Sequence, residues 1–141
     1  MKRFEQFSSN LDVLHKARDE DLENTFILSG IIDKFFIQFD LGWKLFKDLL
    51  RHEGRREAAT GSPREIIKAA YKVYDFMDEE TWLLMLAERN NMAHLYDEEA
   101  AKNLVKHILD DYIQEFEKMR TSLLKKYGKA FLLGNQASFH K

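Results

Sequence analysis

Gly30-Ile31-Ile32-Asp33-Lys34-Phe35-Phe36-Ile37-Gln38-Phe39-Asp40-Leu41-Gly42-Trp43-Lys44-Leu45-Phe46 is the stretch that decides the fold. With Phe26, Ile27, Leu28, Leu49 and Leu50 on its flanks, it reads as one helix over about residues 22–52, and its apolar positions wrap most of the helix circumference. Such a helix has to be covered on more than one side. Asp33, Lys34, Asp40 and Lys44 interrupt the apolar run, which argues against a membrane span.

Outward from that helix, apolar residues recur at helical spacing almost everywhere, and no run alternates long enough to make a strand. The class is all-α. A first helix is predicted over about 2–20, with Phe4, Phe7, Leu11 and Leu14 as its buried stripe. Residues 53–61 read as a loop bounded by Gly54 and Gly61. Ser62-Pro63-Arg64-Glu65 then combines a cap, a proline at the first helical position and a glutamate placed to reach back, so a third helix starts there and runs to about Asp75. Asp78-Glu79-Glu80 opens a fourth helix with acids at its positive end. It carries Trp82, Leu83, Met85, Leu86 and Arg89. Asp97-Glu98-Glu99 repeats the signal, which places a break near Leu95–Tyr96 and a fifth helix over about 98–126 that stops at Gly128. Residues 1–128 form the bundle domain in this reading. Residues 129–141 form a loosely attached tail with the apolar patch Phe131-Leu132-Leu133.

Composition narrows the function. The 141 residues are 45% hydrophobic and 33% charged, the balance of a soluble globular chain, and the absence of cysteine rules out disulfides and thiolate metal sites. The start has no apolar signal segment, so a cytoplasmic protein is expected. A net charge of −2 argues against indiscriminate coating of nucleic acid. Eleven phenylalanines in a chain of this size suggest that apolar surface is buried against a partner.

Chemistry concentrates in Arg89-Asn90-Asn91-Met92-Ala93-His94-Leu95-Tyr96. Arg89 supplies a permanently charged planar fork suited to phosphate oxygens, and His94 is the side chain best placed to move a proton near neutrality. On an ideal helix the two lie roughly 140° apart, so a helix end or a second copy facing the first must bring them together. Arg89 and Tyr96 would lie within about 20° of each other if the helix ran on. The bland alternative pairs Arg89 with a carboxylate such as Glu88 or Asp97. His15, His52, His107 and His140 show no metal-ligand spacing, and no cofactor fingerprint is present, so neither metal nor cofactor is expected. Arg51, Arg55, Arg56 and Arg64 make a basic neighbourhood around the loop, a solvated surface by default and otherwise a contact for RNA or a partner protein.

Three blocks, Gly30 to Phe35 continuing through Phe39-Asp40-Leu41-Gly42-Trp43-Lys44, Ser62-Pro63-Arg64-Glu65, and Trp82 to Asn90 followed by His94-Leu95-Tyr96-Asp97-Glu98, stand in order over about residues 10–120. The chain thereby resembles the nucleotidyltransferase substrate-binding protein family, the HepT-like group of the HEPN superfamily. The resemblance implies an up-and-down bundle of four to five helices, usually a homodimer, and a minimal nucleotidyltransferase partner encoded nearby in a toxin-antitoxin-type pair. It also implies a metal-independent endoribonuclease site that falls on Arg89, Asn90 and His94, leaving 2′,3′-cyclic phosphate ends, with Tyr96 as the acceptor of AMP. Phe36 stands where many members have Glu, and Ser29 where a charged residue is common. Two other readings stay open: a non-catalytic subunit whose cleft only binds a nucleotide or other substrate, and an interaction protein whose dimer scaffolds a complex, with Arg89 and His94 held for packing.

Overall fold

The computed structural model describes residues 1–58 and 60–134, the side chains of Glu57 and His94 excepted. Every regular element among them is helical. Helix α1 (Lys2–His15) buries the expected stripe of Phe4, Phe7, Leu11 and Leu14, then tightens into a 3₁₀ turn over Lys16–Asp19. Helix α2 (Thr25–His52) starts where the Asn24 side chain accepts the backbone N–H groups of Phe26 and Ile27, a cap that leaves the helix slightly shorter than its apolar pattern suggests.

The broad apolar surface of α2 is covered as its pattern demands, with α1, α3, α4 and α5 all packed against it. Phe35, Phe39, Leu45, Phe46, Leu49 and Leu50 are fully buried. One polar residue shares that interior: Gln38 donates to the Phe7 carbonyl and accepts from the Asn10 amide, so its burial leaves no unmet bond. The covering is incomplete at Phe26, 87% exposed, and at Ile37, 46% exposed.

Helix α3 (Pro63–Val73) begins with the full capping box of Ser62 and Glu65. Helix α4 (Glu79–Asn90) follows Asp78 and buries Trp82, Met85 and Leu86. The chain leaves α-geometry at Asn90–Asn91 and makes a 3₁₀ turn over Met92–Tyr96, so the break comes earlier than the expected Leu95–Tyr96. Two successive asparagines account for this, because their short amides compete with the helix for backbone bonds.

The last long helix is not the uniform rod expected over 98–126. Helix α5 (Glu98–His107) passes through a π-helical turn (Ile108–Tyr112) into α6 (Ile113–Tyr127). Its core residues Leu104, Ile108, Tyr112 and Phe116 are each four apart, a spacing that drifts by about 40° per step around an α-helix. The wider turn takes up that drift, and all four stay buried. Beyond Gly128, at φ +84°, α7 (Lys129–Leu132) packs back instead of trailing free. Leu132 is fully buried, and Phe131 stacks on Tyr127 and packs at a tilt against His52. The Met1 amino group donates to the Leu132 carbonyl at 2.6 Å, joining the two ends of the described chain. Residues 135–141, the rest of the expected tail, lie outside the described residues. No helix among the described residues is long and apolar enough to cross a membrane.

Candidate functional site

Arg89 occupies the last turn of α4, where the buried Trp82, Met85 and Leu86 fix the helix and leave position 89 half-exposed. Its partner is neither Glu88 nor Asp97, the two neighbours in sequence. The guanidinium donates through Nη2 to Oδ2 of Asp40 on α2, at 3.4 Å, while Oδ1 of the same carboxylate accepts the Trp43 indole N–H at 3.3 Å. Among the described residues the rest of the guanidinium fork makes no other hydrogen bond. Glu88 faces a different cleft, and Asp97 sits at the start of α5.

Two clefts flank this end of the bundle. A small one of about 120 Å³ is lined by Asp40, Trp43, Lys44, Pro63, Arg89 and Asn90. A second, of about 380 Å³, is walled by Ser29, Asp33 and Phe36 on α2 and by Met92, Leu95 and Tyr96 of the 3₁₀ turn. Phe36 and Asp40 are four residues apart on α2, about one helical turn, so the clefts are neighbours. Tyr96 is 97% exposed, its phenol fully available to solvent.

Because the helix stops at Asn90, Arg89 and Tyr96 do not stack on one helix face; within one chain they line adjacent clefts. Asn90 is exposed and shares the Arg89 cleft. The backbone of His94 lies in the turn between them, and its imidazole lies outside the described residues. The remaining expectations can be placed too. His15 pairs with Glu117, His107 with Asp111 at 3.5 Å, and His52 packs at a tilt against Phe131, so each has a contact of its own. His140 lies outside the described residues. No group of three or more histidine or acidic side chains among the described residues is placed to hold a metal ion.

Asp40, Trp43 and Lys44 are the site neighbours that spacing alone did not single out. Their signal is present in hindsight: Asp40 and Trp43 are i and i+3 on one helix, the interval at which side chains meet. Gly42 between them has a separate task. A Cβ there would lie 2.7 Å from the Trp82 ring, so glycine lets α4 approach α2 closely enough to bring Arg89 to Asp40.

On the other side of α4 a cleft of about 550 Å³ is walled by Asp78, Glu88, Asp110, Asp111 and Glu115 with His107 and Lys118, a predominantly acidic lining unsuited to phosphate. The Tyr112 phenol at its floor is pushed up to about 12 by burial, with Glu88 and Asp111 adding to the shift.

No curated protein matches the chain. A family model described as nucleotidyltransferase substrate binding protein like matches residues 2–125, which span both clefts and every helix that forms them. The chain belongs to that family.

Proposed function

We propose that the protein is the binding partner of a minimal nucleotidyltransferase and cleaves RNA without a metal at a site built on Arg89, Asn90 and His94. The observation that carries this reading is the helix end at Asn90: it leaves Arg89 with one N–H engaged and, among the described residues, no other partner for its fork at a cleft shared with Asn90, and it starts the turn that bears His94. In the reaction His94 takes the proton of a ribose 2′-hydroxyl, the 2′-oxygen bonds to the adjacent phosphorus, and the 5′-oxygen leaves with a proton. Arg89 neutralises charge on the phosphoryl oxygens and Asn90 holds the scissile group. The products are a 2′,3′-cyclic phosphate and a 5′-hydroxyl.

Two copies face each other in this reading, so that the Arg89 and His94 clefts of both line one channel. The apolar residues left uncovered on α1 and α2, Val13, Phe26 and Ile37, support an association of that kind. Control comes from the partner enzyme: the Tyr96 phenolic oxygen attacks the α-phosphorus of ATP, pyrophosphate leaves, and the AMP phosphate competes with RNA for Arg89. The exposure of Tyr96 supports its access to a second active site.

The purified chain is expected to cleave RNA in the presence of chelator, and His94→Ala is expected to lower the rate by about 10²–10⁴ with the melting temperature unchanged. Arg89→Lys is expected to fail as well, since an ammonium lacks the fork. Wild-type cleavage by both variants would sink the assignment. The Arg89–Asp40 pair favours a second reading, a subunit that holds a nucleotide or other substrate for the nucleotidyltransferase without cutting anything. Nucleotide binding by a chain that leaves RNA intact selects that one.

A further inference from the structure

We propose that the face formed by Lys44, Lys47, Arg51, Arg55, Arg56 and Arg64 is a phosphate track that carries single-stranded RNA to the Arg89 cleft. The proposal rests on the ribonuclease reading above and adds to it the surface on which the substrate lies.

The first support is continuity. Lys44, Lys47 and Arg51 follow one another at three and four residues, along one face of the C-terminal half of α2, over about 10 Å. The chain then turns at Gly54, φ +81°, and the Arg55 N–H bonds back to the Leu50 carbonyl at 2.9 Å. Fully buried Ala58 anchors the loop to the body. The loop returns to Pro63, which lines the Arg89 cleft together with Lys44. Arg55 and Arg56 thus lie on a loop that leaves the far end of α2 and comes back beside the site, with exposed Arg64 one residue past Pro63.

Charge is the second support. None of the six cations forms an ion pair with a described carboxylate, whereas the carboxylates described in the same region are committed elsewhere. Asp40 holds Arg89 and Trp43, Asp48 pairs with Arg3 at 2.7 Å, Glu53 accepts the Tyr127 hydroxyl, and Glu65 closes the capping box on Ser62. Six of the 22 lysines and arginines thus lie along α2 and the following loop without a described carboxylate partner, while the cleft behind α4 collects acids. A row of flexible cations ending at a phosphate-sized cleft suits an extended polyanion, whose affinity comes from counterions released at each neutralised phosphate.

The test is binding of a fluorescein-labelled oligouridylate to the His94→Ala chain, measured by anisotropy over about 0.05–0.3 M salt. Replacing both Arg55→Ala and Arg56→Ala is expected to flatten the slope of log affinity against log salt by about 1.4, roughly 0.7 for each lost phosphate contact. At about 0.1 M salt that corresponds to a loss of roughly ten- to thirtyfold. Arg55→Lys with Arg56→Lys is expected to keep the slope. Lys16→Ala with Arg18→Ala, at the opposite end of α2, is expected to bind like the parent. An unchanged slope in the double alanine variant, or an equal loss in the Lys16/Arg18 control, overturns the track and leaves the ribonuclease reading standing if the parent cleaves. A parent that neither binds nor cleaves RNA removes both. RNA binding unchanged while association with the nucleotidyltransferase is lost makes this face a protein interface and likewise overturns the proposal.

Discussion

The chain's two tryptophans each donate an indole N–H to a carboxylate, one pair in the core and the other at the surface. Trp82 is fully buried between Phe46 and Phe116, and its bond goes to Glu115, which is 6% exposed and also accepts the Asp78 backbone N–H. Trp43 is half-exposed, and its bond goes to Asp40, whose other oxygen meets Arg89. In the core the carboxylate has donors around it and a salt bridge to Lys118 at 2.9 Å; it fixes the start of α4. At the surface the same chemistry is looser, with a 3.4 Å ion pair between partly exposed side chains, which is what the proposed capture of an anion by Arg89 requires.

The largest expected effect breaks the buried pair. Glu115→Ala strands the Trp82 and Asp78 N–H groups, and two orphaned donors together cost about 2–4 kcal/mol. Urea unfolding read by tryptophan fluorescence is expected to show a loss of that size, with Glu115→Gln losing less because its oxygen still accepts. A near-neutral Glu115→Ala would mean that water reaches the pair.

Next comes the contact that brings the two tryptophan regions together. Gly42→Ala places a methyl 2.7 Å from the Trp82 ring; with the helix-propensity gain of alanine subtracted, a net loss of roughly 1–2 kcal/mol is expected. Gly30→Ala on the same helix meets nothing within 4 Å and is expected to gain about 0.5–1 kcal/mol. Equal effects at the two glycines would show that propensity, not the close approach of α4, governs position 42.

How much of this was legible without coordinates depended on the range of the interaction. The stripe of Phe4, Phe7, Leu11 and Leu14, the Ser62 box and the Asp78 start all rest on residues within a few positions of one another, and each took the predicted form. Glu115 lies 33 residues from the indole that it binds, and Asp40 lies 49 from Arg89, so nothing local marks either partnership. The π-turn at Ile108–Tyr112 was hidden because the run of fours from Leu104 to Phe116 still reads as helical. The docking of Leu132 depends on the opposite terminus. The candidate site was legible as a cluster of residue types, since Arg89, Asn90 and Tyr96 are near in sequence. Its division into two clefts was not, because it follows from where the helix lets go at Asn90.

Alkaline pH probes the buried phenols. The folded state holds the Tyr112 proton more tightly than the unfolded chain does, as burial and the nearby Glu88 and Asp111 disfavour phenolate. Tyr74 is shifted the same way by burial. Both phenols are protonated in either state below about pH 10, so they leave stability unchanged there. Stability is then expected to fall as pH rises from about 10 through about 12. Urea midpoints measured across that interval check it, and Tyr112→Phe is expected to shallow the fall. A flat profile would contradict the burial argument.

The smallest effect on stability is expected at the exposed pair, and it is the sharpest test of the contrast. Arg89 and Asp40 side chains are 40% and 31% exposed and meet at 3.4 Å, so Asp40→Ala should change stability by no more than about 1 kcal/mol. Its consequence belongs to binding. Removing the carboxylate releases the Arg89 N–H that it holds and deletes a negative charge beside the cleft, so oligonucleotide affinity is expected to rise several-fold. Asp40→Asn separates the contributions, because it keeps an acceptor for the Trp43 N–H while losing the charge; the same rise in both variants assigns it to charge. A fall in affinity would mean that Asp40 orients Arg89 for its anion instead of occupying it. A loss of stability as large as that of Glu115→Ala would erase the distinction between the two tryptophan pairs.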